Sequence, residues 1–264
     1  MWENRLFHED CVGERGMCQI PNQSVSLIFT DLPYGTTQNR WDTVIPYDVL
    51  WKEYERVIKP NGAIVLFAQN LFASDLIQSN RKLFKYKWIW VKDRPSNFLN
   101  AKRMPLFDFE ELLVFYKKAP TYNPQFFEGK PLHGMGSKYK EGQLKNNNYG
   151  EFKSHENPSA NRTGDTKKYP RTTLFYPKPH PPIHPTQKPI DLAEYIIRTY
   201  TDESDVVLDS CTGVGTIPIA SVRTGRKFVA FEKEQGFYEK AYERIAESIT
   251  EEKRDFYQNF FSTP

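Results

Sequence analysis

The sequence predicts a doubly wound α/β domain with a mostly parallel sheet and an irregular insertion, and three observations carry that reading. Short β-rich apolar runs alternate with amphipathic helical stretches, the order that a parallel sheet covered on both faces requires. Two of the runs end in loops suited to ligand binding, Asp31-Leu32-Pro33-Tyr34-Gly35 and Asp209-Ser210-Cys211-Thr212-Gly213-Val214-Gly215-Thr216. Between those loops the periodicity breaks down: six of the 14 glycines fall between Gly129 and Gly164, and seven of the 19 prolines between Pro170 and Pro189. At 264 residues the chain is longer than a domain of about 150 residues and short for two, which favours one domain with an insertion.

Each element has a local reason. Residues 24–30 are a β-rich run stopped by proline and glycine in the first loop. In residues 47–58, Val49, Leu50, Tyr54, Val57 and Ile58 recur at helical spacing, and Lys59-Pro60-Asn61-Gly62 stops the helix before an apolar strand at 63–67. A helix at 71–79, an alternating strand at 86–91 and a further strand at 112–116 follow. After the insertion come a helix at 190–200, a strand at 205–209, a helix at 216–224, a strand at 227–231 and a helix at 235–248. The expected divisions are residues 1–118, the insertion 119–182, and residues 183–264.

Charge separates the insertion from the body. Residues 117–190 carry 13 Lys and Arg against five acids, a balance of +8 within a chain whose net charge is only +3. A basic segment on a mildly acidic body suits attraction to a phosphate backbone, although a solvated loop has the same composition. No apolar stretch approaches the roughly 18 residues of a membrane span, and the first residues do not resemble a secretory signal, so a cytoplasmic protein is expected. Cys11, Cys18 and Cys211, odd in number and without metal-ligand spacing, read as reduced thiols; His133, His155, His180 and His184 do not form a zinc pattern either.

The loop from Asp209 to Thr216 joins a strand to a helix. Its glycines allow close approach of a ligand to the backbone, and the helix N-terminus offers free N–H groups to a carboxylate or phosphate. Glu232 ends the following strand about twenty residues on, where an acid commonly grips ribose hydroxyls. A dinucleotide is the alternative ligand, but Pro218 stands where its fingerprint needs a small residue.

Asp31-Leu32-Pro33-Tyr34 resembles the Asp-Pro-Pro-Tyr motif of the amino-methylating DNA methyltransferases, and His184-Pro185-Thr186-Gln187-Lys188-Pro189 resembles the segment those enzymes carry before their cofactor loop. The likeness extends over nearly the whole chain outside the insertion, including Asp10 and Phe109-Glu110. The motif order resembles the circularly permuted β group. That likeness implies a seven-stranded Rossmann-like methyltransferase sheet, in which the C-terminal part supplies the first two strands of the cofactor half.

The resemblance also implies S-adenosylmethionine as methyl donor, double-stranded DNA as substrate, no metal, and a homodimer, for which residues 71–77 and 192–197 offer apolar stretches. It places Asp10, Thr186, Lys188, Asp209, Cys211, Gly213, Gly215 and Glu232 around the cofactor, with Asp209 on its amino group, Thr186 and Lys188 near its carboxylate, Glu232 on its ribose and Asp10 on its adenine. Leu32 replaces the family's usual first proline, and Cys211 stands where the family usually has phenylalanine.

The chemistry of the first loop follows from its residues. A base inside a duplex cannot present its amine to a methyl donor, so the nucleotide must be flipped out. Tyr34 can replace the lost stacking, while the Asp31 carboxylate and the Leu32 carbonyl accept the amine's N–H groups. Pro33 holds the turn. An Asp heading this loop accompanies adenine in the resembling family, so the N6 amine of adenine is the expected target and the N4 amine of cytosine the alternative. A nicotinamide-dependent oxidoreductase and an inactive DNA-binding module are the rival functions. Within the insertion, Lys138, Lys140, Lys145, Lys153, Arg162, Lys167, Lys168 and Arg171 are candidates for contacts to DNA phosphates.

Overall fold

In the computed structural model the described residues are 2–131, 145–146, 150–151, 164–183 and 186–262, with backbone alone at 145–146 and 150–151. They belong to two units, residues 1–123 with 171–264, and residues 124–170. In chain order the larger unit begins with β1 (Arg5–Phe7), β2 (Val25–Thr30), α1 (Tyr47–Val57), β3 (Ile58–Ala68), α2 (Asn70–Ser79), β4 (Phe84–Ser96) and β5 (Phe107–Phe115). The smaller unit holds β6 (Phe127–Glu128), β7 (Lys145–Asn146), β8 (Gly150–Glu151) and β9 (Lys167–Lys168), paired antiparallel as β6 with β9 and β7 with β8. The chain returns to the larger unit with β10 (Thr173–Phe175), α3 (Ile190–Tyr200), β11 (Val206–Asp209), α4 (Thr216–Arg223), β12 (Lys227–Phe231), α5 (Gln235–Ser248) and α6 (Gln258–Phe261).

The sheet runs β1-β12-β11-β2-β3-β5-β4-β10, and every pairing is parallel except those of β5 with β3 and β4. The two C-terminal strands β11 and β12 thus lie between β1 and β2, the arrangement that the permuted motif order implies. The sheet has eight strands, a correction to the expected seven. The additional strand, β10, is a three-residue edge that pairs with Ile89–Val91, and its apolar signal is short and lies among prolines at Pro170 and Pro177.

Burial on both faces explains why the strands read as continuous apolar runs: all six residues of β2 and the last seven of β3 are buried. One face packs Leu50, Trp51, Tyr54 and Val57 of α1 with Phe72, Ala73 and Leu76 of α2. The other packs Leu192, Ala193, Ile196, Ile197 and Tyr200 of α3 with Ile217 and Ala220 of α4. Residues 192–197 are therefore core and not a free surface for pairing, and in α2 the exposed apolar residue of the 71–77 stretch is Leu71, at 79%. Lys59–Gly62 does not separate helix from strand as expected: it forms a bulge within β3, where the pairing steps from Val25 with Ile58 to Leu27 with Ala63. Among the described residues no helix is long and apolar enough to cross a membrane.

Candidate active site

The adjacency of β11 and β2 brings the two loops together. Leu208 pairs with Ile28, so Asp209 and Thr30 leave the sheet side by side, and the Thr30 hydroxyl donates to Asp209 Oδ1 at 2.7 Å. The same hydroxyl accepts the Cys211 N–H at 3.2 Å, tying the start of the glycine loop to the strand that delivers Asp31. A cavity of about 330 Å³ opens at these strand ends, and Asp10, Asp31, Leu32, Pro33, Tyr34, Thr186, Lys188, Asp209, Cys211, Gly213 and Glu232 all line it. Of the cofactor residues expected from sequence, Gly215 lies behind the lining.

Gly215 is structural. It precedes α4 with φ +83°, and a Cβ there would lie 3.3 Å from Ala241 and Ile245 of α5. Gly213 also has positive φ, +55°, but a Cβ there would meet nothing within 4 Å, so this glycine leaves open space on the cavity wall. Pro218, in the first turn of α4, sits where no intrahelical donor is needed. Glu232 is 8% exposed and knits the loop: Oε2 accepts the Gly213 N–H at 2.8 Å and Oε1 the Glu234 N–H at 2.9 Å. Burial pushes the Glu232 carboxyl above its usual range against the pull of those bonds. Burial also pushes Asp209 up to about 7, opposed by the hydroxyls of Thr212 and Thr30, in a position where it would meet a cation. Asp10 is exposed and accepts the Val12 N–H at 3.0 Å, and Thr186 is exposed at the rim. The Cys211 thiol is pushed well up by its hydrogen bond with Cys11 and by burial, which favours the protonated form.

The Asp31 side of the cavity is an ion cluster. Lys188 Nζ lies 2.8 Å from Asp31 Oδ2 and 3.0 Å from Glu110 Oε2, and Lys92 Nζ lies 2.8 Å from Glu110 Oε1. Lys188, predicted at the cofactor's carboxylate, thus contacts the carboxylate of the first loop. Burial would lower its pKa, but Asp31 and Glu110 overcome that and raise it, so it stays charged. Glu110 is held below the usual carboxylate range because Lys188 and Lys92 outweigh its burial. Asp31 is raised by burial and by Glu110, with Lys188 opposing. Asp31 Oδ1 accepts the Tyr34 hydroxyl at 3.0 Å, and the Tyr34 ring stacks on Phe72 at 4.6 Å. Leu32 is 4% exposed in the core beneath the loop, so side-chain burial anchors a position where the family's proline would fix φ.

Asp42 was missed in the sequence. It is 8% exposed, Oδ1 accepts the Gly35 N–H at 2.8 Å, and Oδ2 accepts those of Thr36 and Thr37 at 3.0 and 2.7 Å. Burial alone would raise its pKa, but these bonds bring it below the usual range. One carboxylate thereby holds the backbone that follows Tyr34. In the sequence Glu110 carries only the likeness of Phe109-Glu110 to the family, and Lys92 has no signature; their meeting with Lys188 comes from strand pairing that places Trp90 beside Glu110.

Of the insertion's cations, Lys138, Lys140, Lys153 and Arg162 lie outside the described residues, as do His133, His155, His184 and Pro185. Lys145 falls in β7, and Lys167 and Lys168 form β9, where Lys167 is exposed and Lys168 half-buried. Arg171 is exposed in the larger unit. Phe126 packs on Tyr169 at 4.8 Å within the smaller unit, though both remain about half exposed. Among the described residues no group of three His, Cys, Asp or Glu side chains is placed to hold a metal ion.

Comparison with known proteins gives a consistent result. Residues 25–243 match the family model described as DNA methylase. The chain is 28% identical to the DNA adenine methyltransferase YhdJ of Escherichia coli K12 over 243 residues, covering 86% of this chain and 77% of that protein. It is 27% identical to the type II methyltransferase M.BamHI of Bacillus amyloliquefaciens over 247 residues, covering 86% of this chain but about half, 54%, of that relative. Among solved structures, the M1.HpyAVI–SAM complex matches with a TM-score of 0.59 at 22% identity over 91% of this chain and 98% of that one. The cytosine-N4-specific PvuII DNA methyltransferase matches with a TM-score of 0.63 at 15% identity over 92% and 90%. At those identities the structures establish a shared fold.

Proposed function

The chain belongs to the N6/N4 DNA methylase family, and from that premise we propose that it transfers the methyl group of S-adenosylmethionine to the N6 amine of adenine in double-stranded DNA, after flipping the target base. The observation that carries this reading is the single cavity lined by both loops, with Thr30 bonded to Asp209 at 2.7 Å beside Asp31. Donor and acceptor must meet at near-contact distance, which one shared cleft provides.

The cofactor half fits its ligand. Gly213 leaves space on the wall, Asp209 offers a carboxylate to an ammonium, and Glu232, with Thr186 at the rim, supplies acceptors for hydroxyl and amine groups. When bound, S-adenosylmethionine supplies a methyl group already activated by its sulfonium. The remaining work is alignment by this chain's residues. Tyr34, braced by Phe72, presents an aromatic wall to an extruded base. The Asp31 carboxylate and the Leu32 carbonyl accept the N–H groups of the amine, and Lys188 and Tyr34 hold that carboxylate in place. Because burial raises the affinity of Asp31 for protons, its carboxylate is also suited to take the proton that the amine loses as its N–C bond forms.

Adenine is favoured by Asp31 at the head of the loop and by the likeness to an adenine methyltransferase. Of the expected insertion, residues 119–182, the separate unit 124–170 is assigned to target recognition, with Lys167 and Lys168, and Arg171 just after it in the larger unit, as phosphate contacts. The protein acts in the cytoplasm on cellular DNA, and pairing as a homodimer would give a sedimentation mass twice the 31.0 kDa of one chain. The experiment incubates the purified chain with unmethylated DNA and S-adenosylmethionine, then resolves the digested nucleosides by mass spectrometry and sequences the DNA for modified positions. N6-methyladenine is expected; methylcytosine without methyladenine would overturn the base assignment, and no methylated nucleoside would overturn the activity.

A further inference from the structure

The hairpin between β4 and β5 carries an apolar tip that the fold itself does not use. Phe98 is 74% exposed and Leu99 86%, and Met104 on the same hairpin is 44% exposed. An exposed cluster of large apolar side chains marks an interaction surface. The tip is held in one conformation. Asn97 has φ +67°, Asn100 Nδ2 donates to Asn97 Oδ1 at 2.6 Å, and the N–H groups of Asn100, Ala101 and Arg103 donate to the carbonyls of Asn97, Phe98 and Asn100. At its base the Ser96 hydroxyl donates to the Phe107 carbonyl at 3.2 Å.

Charge and position identify the partner. Between Asp93, which pairs with Arg94 at 3.0 Å, and Asp108, the hairpin carries Lys102 and Arg103 and no acid. β4 is parallel to β2 and β3, so the hairpin projects from the end of the sheet where Asp31 lies, and Lys92 and Ser96 on its stem line the same cavity. Phe98 follows Ser96 by two residues. A surface that joins the target-base cleft and carries exposed apolar side chains together with Lys102 and Arg103 fits a nucleic acid duplex, whose stacked bases and phosphates match those two chemistries.

Resting on the methyltransferase reading, we propose that this hairpin is a wedge: Phe98 and Leu99 enter the duplex beside the target and fill the stacking space that the flipped nucleotide leaves, while Lys102 and Arg103 meet the flanking phosphates. Apolar wedges between base steps are a known way to stabilise unstacked DNA. The wedge replaces stacking only where a paired base must be pulled out, and that dependence makes it testable.

The test uses the full chain and oligonucleotide duplexes carrying the methylated site mapped above, with the target either paired or opposite an abasic position. Phe98→Ser/Leu99→Ser should lower kcat/KM on the paired target by about tenfold or more, while activity on the abasic-opposed target and the KM for S-adenosylmethionine stay within about twofold of wild type. Lys102→Gln/Arg103→Gln should reduce the slope of log affinity against log salt by about 1.8, from about 0.9 per phosphate contact. Equal losses on both duplexes, no loss on the paired target, or an unchanged salt slope would overturn the wedge. So would a wild-type dimer that the Phe98→Ser/Leu99→Ser change converts to a monomer, since the surface would then be a seam between copies. Absence of transfer by the wild-type chain to either duplex or to any other DNA would instead refute the methyltransferase reading.

Discussion

Replacing Lys188 with Met removes the ammonium that lies 2.8 Å from Asp31 and 3.0 Å from Glu110 while keeping most of the side-chain volume. Removing one member of a buried ion pair costs about 3–5 kcal/mol, because it leaves an uncompensated charge. The Asp31 side chain is 23% exposed and Glu110 keeps Lys92 at 2.8 Å, so the lower end applies, about 3 kcal/mol. At about 2–4 °C per kcal/mol for a chain of this size, Tm should fall by about 6–12 °C at pH 8. The deficit depends on pH, with a definite sign. Glu110 is held below its usual range in the folded protein, so its contribution is present above its unfolded pKa and is lost as pH falls through the folded value. Without Lys188, Glu110 shifts upward and Asp31 rises further, so the penalty is greatest when both are ionised and shrinks as pH falls and protons neutralise them. Calorimetric Tm values of wild type and Lys188→Met from pH 5 to 8 measure this. A deficit that does not change with pH, or one below about 2 °C at pH 8, would refute the electrostatic role of the cluster.

Four further outcomes follow from the same geometry. Asp31→Ala should abolish methyl transfer while leaving the calorimetric affinity for S-adenosylmethionine within about twofold, since the proposed mechanism assigns that carboxylate to the base and not to the cofactor. Asp209, raised to about 7, must ionise to receive an ammonium, so cofactor binding at pH 6 should release a proton and affinity should rise with pH and level off above about 8; titrations in buffers of different ionisation enthalpy count the proton. Asp42→Ala leaves the N–H groups of Gly35, Thr36 and Thr37 without their acceptor, and should cost about 1–3 kcal/mol in denaturant unfolding and speed hydrogen exchange at Thr36 and Thr37. Gly215→Ala forces a side chain into φ +83° and against α5, and should cost about 1–3 kcal/mol in the same assay.

The parts of the site that could be read from sequence are those whose chemistry is contiguous. Asp31 to Tyr34 and Asp209 to Thr216 each concentrate their acceptor, glycine or aromatic residues within one loop, so strand-ending signals located them. The cluster of Asp31, Glu110, Lys92 and Lys188 draws on four separate segments. Its assembly depends on the antiparallel register of β4 and β5, which no local pattern specifies. Asp42 lay in a polar loop where a lone acid looks solvated, and its three backbone partners are all N–H groups with no side-chain signature. Alternation marks a strand at 86–91, but β4 runs on to Ser96 through Lys92, Asp93 and Arg94 because β5 begins early, at Phe107, and pairs with it across the hairpin. Charged residues there hid a strand that tertiary pairing makes.

The most direct test of the shared cleft is a crystal structure of the chain with S-adenosylhomocysteine and a duplex containing the mapped site. The predicted result is a target nucleotide turned out of the helix, its ring on Tyr34 and its amine against Asp31, with the sulfur of the cofactor product beside Gly213 and facing that amine. A target base still stacked in the duplex, or a cofactor product bound away from the loop of Asp209 to Thr216, would contradict the account.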